Sequence, residues 1–224
     1  MNNRKEHYGA KGTYAGYDKN HKERDALDYY STPTAEVTNI LRTINLPIED
    51  WDTILEPCAG AGHMVQGILD YLGENDIMVN LVTTDIQDRG CIIENFTINS
   101  GKEFDFFSDD YPIQSADWII MNPPYGVIEP FTMKALSIAN KGVLALCRLQ
   151  FLEGEGRYNK IFSQCPPSEV YVYVDRIACF KNGNVNEKMA SAQAYAWFFW
   201  DLDESHTYTG TKVHWIRRAD KVGK

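Results

Sequence analysis

The sequence predicts an α/β domain built on a doubly wound, mostly parallel sheet, and three observations predict it. Helical and strand-like segments alternate between residues 34 and 200, the pattern of strands joined by crossover helices. A short apolar strand at 53–56 runs into a glycine-rich turn that opens a helix, the βα connection of such sheets. The chain has 224 residues, 44% hydrophobic and 24% charged, which sustains one core without staples and excludes a disordered or fibrous chain.

Taken in order, residues 34–44 read as a helix, with Val37, Ile40, Leu41 and Ile44 on one face at helical spacing. Strand 53–56 leads into Pro57, Cys58, Ala59, Gly60, Ala61 and Gly62, and a helix follows over 63–72. Residues 78–84 form a second strand that ends in Asp85, and Ile92 and Ile93 mark a further one. Strand 118–121 stops at Asn122, Pro123, Pro124 and Tyr125. A helix over 131–139, a buried strand over 143–147, a helical stretch over 157–163 and a strand over 170–174 come next. The strongly apolar stretch 195–200 is the last strand. Without repeats or low-complexity tracts, one domain is expected over 28–205, between an arm (1–27) and a tail (206–224).

Composition narrows the setting. The longest apolar run, 194–200, has seven residues, far short of the roughly 18 that a membrane span needs, and the polar start is no signal peptide. Five widely spaced cysteines without a C-x-x-C pair argue against a disulfide framework or a metal site. A soluble, cytoplasmic protein without metal or membrane partner is expected. The net charge of −9 is unevenly distributed: residues 1–24 and 206–224 together carry +7 and the middle −16. Two readings of the ends stay open, solvated tails or arms that contact phosphate. Tyr8, Tyr14 and Tyr17, interleaved with Lys5, Lys11 and Lys19, suit stacking on bases under the second.

Ligands of doubly wound sheets sit beyond the carboxyl ends of the strands, where this sequence places its unusual residues. Gly60 and Gly62 let the backbone approach a ligand closely and offer helix-start N–H groups. Asp85 ends the next strand, 29 residues after Glu56, where a carboxylate can accept both hydroxyl protons of a ribose. Together these features point to a nucleoside-bearing cofactor. The dinucleotide fingerprint G-x-G-x-x-G fails at Val65. A glycine turn that only closes strand on helix is the other reading.

The most specific feature is Asn122-Pro123-Pro124-Tyr125. Two prolines lock two φ angles and remove two backbone donors, and residues preceding proline are held extended. The result is a rigid edge of acceptors, the Asn122 side-chain oxygen and the Pro123 carbonyl, beside an aromatic ring. That edge suits a planar amine with two hydrogens, stacked on Tyr125. A strand-terminating turn with a packed tyrosine is the structural alternative.

With these segments in this order, the chain resembles the S-adenosylmethionine-dependent DNA amino-methyltransferases of the adenine-N6 type found in bacteria and their phages, some of which serve restriction-modification. The resemblance covers roughly residues 28–200. Tyr30, Thr32 and Pro33 resemble the segment that touches the cofactor's methionine end. Glu56, Pro57, Cys58, Ala59, Gly60 and Gly62 resemble the cofactor loop. Asp85, with Ile86 beside it, matches the ribose-binding acid, and Phe104-Asp105-Phe106 resembles the pair that meets the cofactor's adenine. Asn122, also close to the cofactor, Pro123, Pro124 and Tyr125 match the catalytic motif. Phe180 resembles the second ring that stacks on the target base, a core phenylalanine being the alternative. The resemblance implies a Rossmann-like fold, a seven-stranded sheet with an antiparallel last strand, and DNA as substrate, its target adenine flipped out of the stack.

The chain departs from the family in having no separate target-recognition domain, since only 24 residues follow Trp200. Base reading then falls to the arms, to loops such as 181–193, to a homodimer partner or to a separate specificity partner. Methylation of an RNA adenine or of a protein glutamine amide, both planar amines, remains open, as does a non-catalytic binding subunit with this fold.

Overall fold

The computed structural model describes residues 29–91, 104–181, 193–203 and 209–223, with only the backbone of Phe180 and Lys181. The strand marked by Ile92 and Ile93 and the arm 1–27 lie outside the described residues.

Among the described residues nine strands form: β1 (Tyr30–Ser31), β2 (Thr53–Glu56), β3 (Asn80–Thr83), β4 (Ala116–Met121), β5 (Ala139–Arg148), β6 (Glu169–Tyr173), β7 (Phe180–Lys181), β8 (Tyr195–Asp201) and β9 (Lys212–Ile216). Seven of them make one sheet in the order β3-β2-β4-β5-β8-β6-β9. Strands β3, β2, β4 and β5 pair in parallel, β8 runs antiparallel to β5 and β6, and β9 is parallel to β6. The expected antiparallel strand is therefore β8, but it is not the last. Residues 212–216, expected within a tail, form the edge strand β9 and belong to the sheet. Its Lys-Val-His-Trp-Ile spelling lacks the continuous apolar run of a central strand because an edge strand covers its neighbour on one side only.

Helices α1 (Thr34–Ile44), α2 (His63–Glu74) and α3 (Ile128–Ile138) cover the faces. Side chains alternate across each strand. Ile54, Ile120, Leu144 and Trp197 meet Val37, Ile40, Leu41 and Ile68 of α1 and α2 on one side. Leu55, Ile119, Met121, Val143 and Phe198 meet Phe131 and Leu136 of α3 on the other. Between α1 and α2 the backbones approach at Gly67, where a Cβ would fall 2.6 Å from both the Thr34 carbonyl and Val37 Cβ.

Helix α3 starts at Ile128, three residues before the predicted start at 131. Pro130 is compatible with that start because the first-turn N–H groups have no intrahelical partner. The predicted helix over 157–163 is a single turn (Glu155–Arg157) that continues as a π-helix (Tyr158–Phe162). No helix among the described residues is long and apolar enough to cross a membrane. The parallel strands all point their carboxyl ends to one edge, and β1 and β7 pair antiparallel, Tyr30 with Lys181 and Ser31 with Phe180.

Candidate active site

A cleft enclosing about 770 Å³, part of it open to solvent, lies past the carboxyl ends of β2, β3 and β4. Of the residues singled out in the sequence, Tyr30, Thr32, Glu56, Pro57, Cys58, Ala59, Asp85, Ile86, Asp105, Phe106, Asn122 and Pro124 line it. Pro33, Gly60, Gly62, Pro123 and Tyr125 are not among the lining residues. The Phe180 side chain lies outside the described residues; its backbone pairs with Ser31.

The glycine turn is shaped by what surrounds it. Gly60 and Gly62 have φ values of +56° and +86°, conformations that L side chains rarely adopt. A Cβ on Gly60 would also fall 2.1 Å from the Tyr29 ring. The N–H groups of Gly60, Ala61 and Gly62 have partners within the chain, ahead of the helix start at His63. The Gly60 N–H donates to Asp85 Oδ2 (2.8 Å), the Ala61 N–H to the Tyr29 hydroxyl (3.1 Å) and the Gly62 N–H to the Ala59 carbonyl (2.9 Å). A carboxylate at the end of β3 reaches back and engages the first of them.

Asp85 accepts the Gln87 N–H through Oδ1 at 2.9 Å, and Arg89 lies 3.9 Å from the same oxygen. Asp85 lines the cleft, and a carboxylate has about four lone-pair sites. Burial raises the Asp85 carboxyl above its ordinary value, against the lowering effect of these N–H donors and of Arg89. Glu56 is 1% exposed at the cleft floor, and its Oε2 has no hydrogen-bond partner among the described residues. Burial, with the Asp85 charge adding to it, pushes Glu56 well above the usual carboxylate range. Cys58 Sγ lies 3.3 Å from both Glu56 Oε1 and the Asn122 carbonyl, so its single proton serves two acceptors.

The Asn122 side chain is oriented from outside its own strand. Its Nδ2 donates to the Tyr30 carbonyl (2.9 Å) and the Thr32 hydroxyl (3.0 Å). A carbonyl can only accept, so the amide nitrogen must face it, and Oδ1 points the other way with no hydrogen bond among the described residues. Asp105 lies at the opposite wall and accepts the Phe107 N–H at 2.9 Å. Phe106 is packed rather than loose: Phe131 and Tyr111 lie at centroid distances of 4.5 and 5.1 Å, and the Lys134 ammonium 5.0 Å from its ring centre.

Tyr125 is held more firmly than its sequence context suggested. Its hydroxyl donates to that of Tyr195 at 3.1 Å, its ring lies 5.0 Å from the Tyr30 ring, and the Arg148 guanidinium sits 4.0 Å above it. Burial raises the Tyr125 phenol far above its ordinary value. The face on which a planar substrate was expected to stack is therefore shared with Arg148. Sequence reasoning missed Arg148 and Tyr29. For Arg148 the signal was present, a cation directly after a buried parallel strand, where ligand-facing residues of such sheets occur.

No protein-family model and no curated protein matches the chain. Solved structures do. A candidate class I S-adenosylmethionine-dependent methyltransferase from Listeria monocytogenes superposes with a TM-score of 0.62 at 12% identity, over 93% of this chain and 69% of that one. A candidate RNA methyltransferase from Pyrococcus horikoshii gives 0.56 at 18% identity, over 92% of this chain and 100% of that one. The methyltransferase subunit of a type I restriction-modification system from Streptococcus thermophilus gives 0.57 at 12% identity, over 87% of this chain. This chain spans about half the length of that subunit (48%). The likeness is one of fold: the chain has the Rossmann-like architecture of class I methyltransferases.

Proposed function

We propose that the chain transfers a methyl group from S-adenosylmethionine to the exocyclic N6 amine of adenine in DNA. The observation that carries this reading is Asn122, whose amide nitrogen is pinned by Tyr30 and Thr32, so that its oxygen stands as an acceptor at the mouth of the cleft.

The cleft suits the cofactor on chemical grounds. A buried carboxylate oxygen without a donor, Glu56 Oε2, suits an ammonium group. Asp85 offers lone pairs to ribose hydroxyls, and Asp105 with the rings of Phe104 and Phe106 suits an adenine with its amine. Tyr30, Thr32, Pro57, Cys58, Ala59 and Ile86 complete the walls. S-adenosylmethionine, when bound, supplies an electrophilic methyl on a sulfonium.

The chain's own residues supply position and hydrogen bonding. An exocyclic adenine amine is a poor nucleophile because its lone pair is delocalised into the ring. Asn122 Oδ1 and the Pro123 carbonyl accept its two hydrogens and so favour the tetrahedral amine, whose lone pair is free. Pro123 and Pro124 keep both acceptors in place because neither can rotate about φ. Tyr125 offers the ring beside them.

A second reading, an RNA adenine, draws on the Pyrococcus horikoshii structure, which this chain matches over its full length. Mass analysis of nucleosides and proteins from cells expressing the chain, or its Asn122→Ala variant, separates the substrates. N6-methyladenine in DNA that disappears in the variant is the expected result. Methylation confined to RNA or to glutamine would reject the DNA assignment.

A further inference from the structure

The carboxyl edge of the sheet continues well past the cleft. After Asn122 at the end of β4, the next strand ends in Arg148, whose Nε is buried without a hydrogen-bond partner among the described residues. Beyond it a groove is lined by Leu149, Gln150, Glu153, Arg176, Gln193 and Ala194. Arg176 follows β6, and Arg217 and Arg218 follow β9, which runs parallel to β6 and so ends on the same edge. Two ion pairs fasten this corner: Arg218 to Asp220 at 2.9 Å and Lys221 to Asp175 at 2.6 Å. Arg218 Nη1 also donates to the Arg176 carbonyl at 3.5 Å, and the Arg217 carbonyl accepts from Asn39 at 3.0 Å. The backbone is thereby tied down while the Arg176 and Arg217 side chains stay exposed. Four basic side chains (Arg176, Arg217, Arg218, Lys221) face three acidic ones here (Asp175, Asp220 and Glu36, whose carboxylate accepts the Ala219 N–H), in a chain of net charge −9. The edge strand β9 thus carries these basic residues to the carboxyl edge of the sheet, on which the cleft also lies.

We infer that Arg148, Arg176 and Arg217 form a track for the phosphate backbone of DNA flanking the target base. This rests on the reading of DNA as substrate. Guanidinium groups suit the role because their planar fork matches two phosphate oxygens. The spacing suits it as well. Strands about 4.8 Å apart put Arg176 roughly 10 Å from Arg148 and Arg217 roughly 5 Å further on. From Asn122 to Arg217 is four strand steps, about 19 Å, or some five to six base pairs at 3.4 Å each. The track lies to one side of the target base and reads no sequence, since phosphate contacts position without specifying. It also gives a chain of net charge −9 a local means of holding a duplex.

The test is a salt titration of the full chain on a fluorescein-labelled duplex of mixed sequence, followed by anisotropy. Arg176→Gln and Arg217→Gln should each flatten the slope of log affinity against log salt by about 0.9, and the double variant by about 1.8. Arg42→Gln makes the same charge change at the opposite edge, in the last turn of α1, and should leave the slope unchanged. Calorimetric affinity for S-adenosylmethionine should stay at the wild-type value in all three. Wild-type slopes for Arg176→Gln and Arg217→Gln, or an equal loss for Arg42→Gln, would overturn the track. The same titration on an RNA hairpin provides the other arm: tighter binding there, with the same arginine dependence, would overturn the assignment to DNA. A chain that methylates DNA yet shows unaltered slopes loses the track alone, whereas one that methylates no nucleic acid loses the functional reading itself.

Discussion

The amide nitrogen of Asn122 lies 2.9 Å from the carbonyl oxygen of Tyr30, 92 residues away in the chain. The two-residue strand β1 is held by β7, and through this contact it decides which way the Asn122 amide faces. The acceptor in the proposed chemistry is thus set by a segment that precedes the first strand of the main sheet. Local conformation at Pro123 and Pro124 fixes where the side chain starts, and Tyr30 and Thr32 fix how it ends.

Removing the acceptor should cost turnover more than binding. Asn122→Ala should lower kcat by roughly a hundredfold or more, the scale seen when one pre-aimed polar group is lost, with a smaller change in cofactor affinity. Thr32→Ala removes one of two anchors and should lower kcat with little change in KM, whereas Thr32→Ser keeps the hydroxyl and should restore it. Single-turnover methyl transfer from labelled S-adenosylmethionine reads both effects. Near-normal rates in Asn122→Ala would remove the acceptor role.

Asp85 has two duties, and they should separate. Its carboxylate engages the Gly60 and Gln87 N–H groups and faces the cleft. Asp85→Ala should weaken S-adenosylmethionine by about 1.5–3 kcal/mol, the range for a hydrogen bond to a charged group. It should also destabilise the apo chain by about 1–3 kcal/mol, since buried donors lose their acceptor. Calorimetry reads the first and urea unfolding the second. Weakened cofactor binding at unchanged stability would mean that the turn is held without Asp85.

The parallel strands and the order of the site segments were legible in the sequence because their signals are local. Buried strands are continuous apolar runs, and each is followed at once by the residues that face the ligand edge, Glu56, Asp85 and Asn122. What was not legible depends on partners distant in the chain. β9 carries Lys212, His214 and the 71%-exposed Trp215, a spelling that became a strand only by pairing with β6. That Asp85 and Tyr29 reach the Gly60 and Ala61 N–H groups is written nowhere in the local sequence. Arg148 is adjacent to a buried run, yet its place over Tyr125 follows from the way β4 and β5 pair.

Two glycines of α2 should respond to alanine with opposite signs. At Gly67 a Cβ meets the Thr34 carbonyl and Val37 at 2.6 Å, whereas at Gly73 it meets nothing within 4 Å. Gly67→Ala forces the α1 backbone away and should destabilise by about 1–3 kcal/mol. Gly73→Ala relieves the entropic cost of glycine in a helix and should stabilise by about 0.5–1 kcal/mol. Urea unfolding of both variants checks the pair, and equal shifts would contradict the close approach of α1 and α2.

Glu56 sets the pH dependence of the apo chain. Burial raises its folded-state carboxyl well above the ordinary 4.5, and Asp85, Cys58, Cys91, Tyr111 and Tyr29 are titratable groups that interact with it. Below pH ~4.5 the carboxyl is protonated in both folded and unfolded chains and costs nothing. Above that value the unfolded chain releases the proton while the folded chain keeps it, so stability falls by up to about 1.4 kcal/mol per pH unit until the folded group ionises. Asp85, raised in the same direction, adds to the fall. Glu56→Gln removes the Glu56 part, so the variant should match the wild type near pH 4 and exceed it increasingly toward neutrality and above. S-adenosylmethionine should reverse the order, because an ammonium beside Glu56 Oε2 favours the ionised carboxylate that glutamine cannot provide. Binding to the wild type should then release a proton, seen as a heat that changes with the ionisation enthalpy of the buffer, and binding to Glu56→Gln should release less. A variant with the wild-type pH profile, or equal proton release from both chains, would show that the buried carboxyl is already ionised in the apo protein.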